Sequence, residues 1–218
     1  MNRINSIIWD WNGTLLNDVD ICIESINILL KKRNLPVLSK RRYRHIFTFP
    51  VKNYYIESGF DFTLESWERV ATDFMDLYFS KLPVTGIFPE APNVLRILKQ
   101  EGYKQILVSA MEHESLVRSV RDKGLYPYFD SVGGIENHFA DGKMENAKNS
   151  MRNLELVSAS TVLIGDTTHD FEVAGELGIK CILVSRGHQS ASRLKKLNCA
   201  VLSSLNEIPV FLDNIQSR

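Results

Sequence analysis

The sequence predicts an α/β fold, a doubly wound and mostly parallel sheet with an inserted α-helical cap. Three observations carry this. Short apolar runs alternate with stretches of helical period through the second half of the chain, as strands alternate with helices in such folds. Three of the runs end in a polar residue, Asp10, Ser109 and Asp166, and ligands bind at the carboxyl edge of such sheets. Between the first run and the second lies a long stretch of helical pattern without β alternation, which reads as an insertion.

The first run, Ile4 to Trp9, reads as a buried strand leading into Asp10-Trp11-Asn12-Gly13-Thr14-Leu15-Leu16. A carboxylate just past a buried strand is well placed for chemistry. A second carboxylate two residues on would be its natural acid/base partner, but Asn12 fills that slot. An amide carries no exchangeable charge between about pH 5 and 9. Residues 18 to 33 place Val19, Ile23, Ile26 and Leu30 on one helical face, with Lys31-Lys32-Arg33 at the end where cations suit the helix dipole. Asn34-Leu35-Pro36 stops that helix. Residues 39 to 82 are helical and irregular. A helix start is expected around Phe62 to Trp67, followed by a stripe of Trp67, Val70, Ala71, Phe74, Leu77 and Tyr78 that reads as packing.

Leu82 to Gly86 is a connection. Beyond it the sequence predicts helix 90–100, strand 105–108 ending at Ser109, helix 112–123, a short strand from Phe129 to Val132, and helix 143–154. Strand 161–164 ending at Gly165-Asp166, helix 168–177, strand 179–184, helix 190–197, strand 200–202 and a C-terminal helix complete the reading. The domains are therefore 1–16 with 83–218 as the α/β core, and 17–82 as the cap.

Composition narrows the function classes. At 218 residues with 44% hydrophobic content the chain can bury a proper core without a metal or disulfide staple. Lys+Arg and Asp+Glu are 26 each, which argues against a nucleic-acid or membrane-surface partner. The one basic cluster, Lys40-Arg41-Arg42-Tyr43-Arg44, reads as a solvated helix face, with a phosphate-attracting rim as the alternative. Cys22, Cys181 and Cys199 form no metal-binding spacing, and a sparse, odd set points to a reducing compartment. No apolar run reaches the roughly 18 residues of a membrane span, and the chain runs directly into its first strand, so a cytoplasmic protein is expected.

Taken singly, the polar residues at the element ends have bland readings. Asp10 serves as a turn residue, Ser109 as a helix N-cap, Asp166 and Asp170 as a cap and a dipole partner, and Lys143 as a solvated lysine. Together they suit another purpose. Asp166 and Asp170 flank a strand-to-helix turn and, with Asp10, could grip a hard cation such as Mg²⁺. Lys143, in the loop Asp141-Gly142-Lys143, could neutralise a phosphate.

In this order, Asp10-Trp11-Asn12-Gly13-Thr14-Leu15, a strand ending in Ser109, Lys143, and Gly165-Asp166-Thr167-Thr168-His169-Asp170 resemble the four motifs of the haloacid dehalogenase-like hydrolase superfamily. The helical insert resembles the small cap of its phosphoglycolate phosphatase and β-phosphoglucomutase branch, on a Rossmann-like core. The third motif lacks the Pro that often follows its Lys, and Lys148 is the second candidate for that role.

The resemblance implies a Mg²⁺-dependent phosphatase acting on a small phosphate monoester, phosphoglycolate-like, as monomer or homodimer. Asp10 would form an aspartyl-phosphate. Mg²⁺ would be held by Asp10, the Asn12 carbonyl and Asp166, with Asp170 in support. Ser109 and the Ala110 amide would bind the phosphoryl group, and Lys143 would offset charge. Asn12 departs from the superfamily's usual Asp, which implies slower turnover, a good leaving group, or a substitute such as His169 or His188. The segment from His45 to Tyr54 sits where relatives select their substrate, and Arg44, Lys52 or Tyr54 would reach it. Gly187-His188-Gln189-Ser190 lies near the same sheet edge with its role open. The alternatives are a phosphotransferase or mutase, a dehalogenase, which the Asp166/Asp170 pair opposes, and a binding module with a weakened site.

Overall fold

The computed structural model describes residues 3–135 and 142–216. Asp141, part of the loop expected before Lys143, lies outside the described residues. Strand β1 (Ser6–Trp9) is buried along its whole length, as a strand with apolar side chains on both faces must be in a sheet covered on both sides. The stretch expected to be an insert follows as α1 (Val19–Lys32), α2 (Lys40–Ile46), α3 (Val51–Glu57) and α4 (Trp67–Lys81). The remainder runs α5 (Ala91–Gln100), β2 (Lys104–Glu112), α6 (His113–Asp122), β3 (Ser131–Ile135), α7 (Gly142–Asn153), β4 (Thr161–Gly165), α8 (Thr168–Glu176), β5 (Lys180–Val184), α9 (Ala191–Leu194), β6 (Ala200–Leu202) and α10 (Glu207–Gln216).

The six strands lie in the order β3-β2-β1-β4-β5-β6, all described pairings being parallel. This is the doubly wound order, and the strand order reverses between β1 and β4. Trp9 pairs with Leu107 on one side and Ile164 on the other. Asp10, Ser109 and Asp166 therefore leave the central strands at one edge. One apolar cluster includes Ile7, Trp9 and Leu107 of the sheet with Ile26, Tyr43, Tyr54 and Val70 of the insert. A second, with Ile8, Val108 and Leu163, packs under α7 and α8.

Several boundaries depart from the sequence reading. Strand β2 continues past Ser109 to Glu112, with a register irregularity against β3 after Val108. Ser109 is thus inside the strand, and Glu112 caps α6 by accepting from the Glu114 and Ser115 amides at 2.7 and 2.8 Å. β3 lies at Ser131–Ile135 rather than 129–132. Gly133 and Gly134 both lie within it. At Gly134 a Cβ would stand 2.6 Å from the Met111 carbonyl oxygen, so the bare backbone permits the close approach. Helix α4 begins at Trp67, within the expected range, after Asp61 has closed a tight turn by accepting from the Thr63 amide at 2.9 Å and with Ser66 as its cap, accepting from the Arg69 amide. The helix expected over 190–197 is the single turn α9. Of the basic cluster, Lys40, Arg41 and Arg42 are exposed, whereas Tyr43 is buried.

Candidate active site

Asp10 follows β1 directly, its backbone amide donating to the Ile164 carbonyl at 2.9 Å. The next turn is closed by Gly13, whose φ of +74° is the left-handed conformation that glycine adopts without strain. Its amide donates to Asp18 Oδ1 at 2.8 Å. Asp166 follows β4, and Thr167 and Asp170 form a capping box at the start of α8. Thus Thr167, not Asp166, is the cap, and Asp170 lies in the first turn of α8, as the dipole-partner reading has it. Its Oδ2 accepts from the Asp166 and Thr167 amides at 3.1 and 2.9 Å, while its Oδ1 faces the site.

Lys143, in the first turn of α7, reaches across to both carboxylates. Its Nζ donates to Asp10 Oδ1 at 2.5 Å and to Asp170 Oδ1 at 2.6 Å. Lys143 is 5% exposed, so the solvated-lysine reading is overturned, and Lys148 is the exposed residue of the two. Thr14 Oγ1 lies 3.0 Å from Asp10 Oδ2 and 3.2 Å from Asp166 Oδ1.

Charge is unbalanced in this buried layer. Asp10, Asp166 and Asp170 offer carboxylate oxygens within 4.8 Å of one another. Burial pushes the Asp10 carboxyl up to about 6, against the pull of Lys143. Burial pushes Asp166 to about 8, with His188 opposing and the neighbouring carboxylates assisting. Burial acts on Asp170 too, but the Lys143 ammonium overrides it and holds that carboxyl below its ordinary value. The Lys143 ammonium, which burial disfavours, is kept charged by Asp10 and Asp170. A set of hard oxygen donors carrying excess negative charge fits a divalent cation of the Mg²⁺ kind. Asp10 and Asp166 are the members not held by a helix cap.

Behind Asn12 stands a second buried ion pair. Asp18 Oδ1 lies 3.2 Å from His188 Nε2, and the Tyr43 hydroxyl bonds His188 Nδ1 at 2.8 Å. Asp18 Oδ2 accepts from Asn12 Nδ2 at 2.8 Å and from the Tyr78 hydroxyl at 2.9 Å. Asn12 Nδ2 also donates to Tyr78 at 2.7 Å, and its Oδ1 accepts from Ser109 Oγ at 3.2 Å. Burial disfavours the imidazolium, yet the Asp18 charge raises His188 to about 9. Burial works against the Asp18 carboxylate, and His188 more than offsets it, leaving Asp18 below its ordinary value. Asp18, Cys22 and His188 donors also lie within 4.8 Å of one another, but the ion pair and its hydrogen bonds already engage Asp18 and His188.

Not every expected residue reaches this centre. Ala110 is exposed next to Ser109. Arg44 is half-buried, and its guanidinium donates to the Ser185 and Gln189 carbonyls, tying the insert to the segment after β5. Tyr54 is buried in an aromatic cluster with Tyr43 and Phe47, and its hydroxyl has no hydrogen-bond partner among the described residues. Lys52 is not brought to the site. It is exposed, with Nζ 5.7 Å from the Phe62 ring centroid. His169 is half-buried under Phe49, with ring centroids 4.7 Å apart. Sequence reasoning missed Asp18, Tyr43 and Tyr78, and gave Gln189 no role. Gln189 Oε1 accepts from the Thr168 amide at 2.9 Å, and its Nε2 donates to the Phe47 carbonyl at 3.0 Å.

The chain as a whole has known relatives. The profile of the haloacid dehalogenase-like hydrolases matches residues 7–184, and the chain belongs to that family. It is 25% identical over 199 residues to the protein described as probable phosphatase IndB of Dickeya dadantii (strain 3937), covering 87% of this chain and 84% of that one. To a phosphoglycolate phosphatase of Caulobacter vibrioides (strain ATCC 19089 / CIP 103742 / CB 15) it is 24% identical over 192 residues, covering 84% and 80%. A solved haloacid dehalogenase-like family hydrolase from Streptococcus pneumoniae superposes with a TM-score of 0.74 at 18% identity, over 97% of this chain and 99% of that one. That likeness is one of fold.

Proposed function

We propose that this chain, a phosphatase of the haloacid dehalogenase-like family, hydrolyses a small phosphorylated metabolite with Mg²⁺, by way of an aspartyl-phosphate on Asp10. The observation that carries the reading is the buried meeting of Asp10, Lys143, Asp166 and Asp170, with Lys143 bonded to two of the carboxylates. Asp10 is the nucleophile. Its carboxylate attacks phosphorus, the leaving oxygen departs, and water then releases phosphate from the acyl phosphate.

Asp10, Asp166 and the Asn12 carbonyl would hold Mg²⁺ beside Asp170, and the ion would offset charge on the phosphoryl oxygens. Lys143 keeps Asp10 ionised and oriented, and adds positive charge where the phosphoryl group gathers its own negative charge. Ser109, beside Asn12, would bind that group, with the amide of the adjoining Ala110 in support. Residues 17–82 act as a cap whose segment from Arg44 to Tyr54 limits the size of the substrate. Phosphoglycolate, which the name of the Caulobacter relative includes, is an alkyl ester and belongs in any panel beside esters with more acidic leaving groups.

The test is phosphate release from a panel of small phosphate monoesters, phosphoglycolate and an aryl phosphate included, with Mg²⁺ and with a chelator. Release that requires the metal is expected. Release unaffected by chelator, or none from any member by folded protein, would contradict the reading.

A further inference from the structure

Resting on that reading, we propose that the site is matched to phosphoryl donors whose leaving group departs as a stable anion, namely acyl phosphates, phosphoanhydrides and aryl phosphates, and that it turns over alkyl phosphate esters slowly. An alkoxide leaves phosphorus readily only when a positioned acid gives it a proton, an effect worth about 10²–10⁴ in rate. Position 12 holds an amide, and that amide is fully engaged. Nδ2 donates to Asp18 and Tyr78, and Oδ1 accepts from Ser109.

The groups around Asn12 do not replace the missing acid. Asp18 accepts hydrogen bonds from the Gly13 amide, Asn12 and Tyr78, and pairs with His188. That pattern suits a carboxylate and leaves no place for a proton. His188 directs Nε2 to Asp18 and Nδ1 to Tyr43, and Phe47 stacks on its ring at 4.9 Å between centroids. Both ring nitrogens of this imidazole are thus engaged, and neither is left to give a proton to the leaving oxygen. Ser109 donates to Asn12, and Lys143 is fixed by Asp10 and Asp170.

With such a donor the reaction balances without an acid. An Asp10 carboxylate oxygen forms a bond to phosphorus as the bond to the leaving oxygen breaks. The electron pair goes to that oxygen, which departs as a carboxylate, phosphate or phenolate. In the second half a water oxygen bonds to phosphorus, the Asp10 carboxylate is expelled as an anion, and the water's protons pass to phosphoryl oxygens and solvent. The leaving group of this half is itself a carboxylate, so the same rule is met. The transition state is loose and asks little of a base.

The experiment measures kcat/KM, with Mg²⁺, for acetyl phosphate, a series of substituted phenyl phosphates, and benzyl phosphate, an alkyl ester of similar bulk to the aryl series. It uses the native chain, Asn12→Asp, and the exchange Asn12→Asp/Asp18→Asn, which keeps one carboxyl and one amide in contact should two adjacent carboxylates prevent folding. The native enzyme is expected to favour the aryl and acyl donors over benzyl phosphate by about 10²–10⁴-fold, with a steep dependence on leaving-group acidity. A carboxyl at position 12 is expected to narrow that gap at least about tenfold. A flat dependence in the native enzyme overturns the inference, because a proton then reaches the leaving group from elsewhere, and this arm needs no variant. Failure to release phosphate from any donor, acetyl phosphate included, removes the phosphatase reading itself. A flat dependence leaves that reading intact.

Discussion

His188 and Lys143 are the two buried cations of the site, and they answer to different partners. Lys143 is shared by Asp10 and Asp170, whereas His188 is paired with Asp18. The folded protein holds the His188 proton up to about 9, against an ordinary value of 6.5. Its pair therefore stabilises fully below about pH 6.5, and the contribution is lost as pH rises through about 9. His188→Gln is expected to cost about 3–5 kcal/mol at pH 6, as breaking a buried pair does, and much less above pH 9. Melting curves of both proteins with saturating Mg²⁺ check this, and a difference that stays constant or grows with pH would refute it. The charged residues Asp10, Lys143, Asp166 and Asp170 were legible in the sequence because each stands at the end or start of an element. Asp18, Tyr43 and Tyr78 were not. Their roles depend on where three separate helical segments meet, and the packing stripe that contains Tyr78 does not say where its hydroxyl points.

At the scale of elements, the turn after β1 carries the tightest constraint. A Cβ on Gly13 would run into the Asp166 carboxylate and come within 2.5 Å of His188 Cδ2. Gly102 also has positive φ, +86°, but a Cβ there would meet nothing within 4 Å. Gly102→Ala is thus expected to cost only the backbone term, roughly 1–2 kcal/mol. Gly13→Ala is expected to cost clearly more and to weaken Mg²⁺ binding as well. Denaturant unfolding and metal titration of the two variants test this, and equal costs with unchanged metal affinity would show that the close approach is unimportant. Most strands and helices were legible from apolar period, including β1, β4 and β5. The end of β2 was not, because Ser109 to Glu112 breaks the apolar run while the backbone continues to pair. β3 was misplaced for a related reason. Glycine carries no apolar side chain to signal a strand, yet Gly134 is where the backbone passes close to Met111.

For the whole molecule, alternation of strands and helices was enough to predict a parallel doubly wound sheet, but the order β3-β2-β1-β4-β5-β6 needed the structure. That order sets β1 beside β4 and brings Asp10 and Asp166 together although 156 positions separate them. The helical insert is joined to the sheet edge by Arg44, Gln189 and Arg193, the last donating to the His45 carbonyl at 2.9 Å. Its aromatic side therefore lies over the site, as Phe47 on His188 and Phe49 on His169. Among the described residues no helix is long and apolar enough to cross a membrane. The central claim is that Asp10 is the nucleophile of a metal-dependent phosphatase. It is tested most directly by phosphate release from 4-nitrophenyl phosphate with Mg²⁺, comparing the native chain with Asp10→Asn, which keeps the side chain's size. The account predicts release by the native chain and a loss of at least about 10³-fold in the folded variant. A variant that retains native turnover would contradict it.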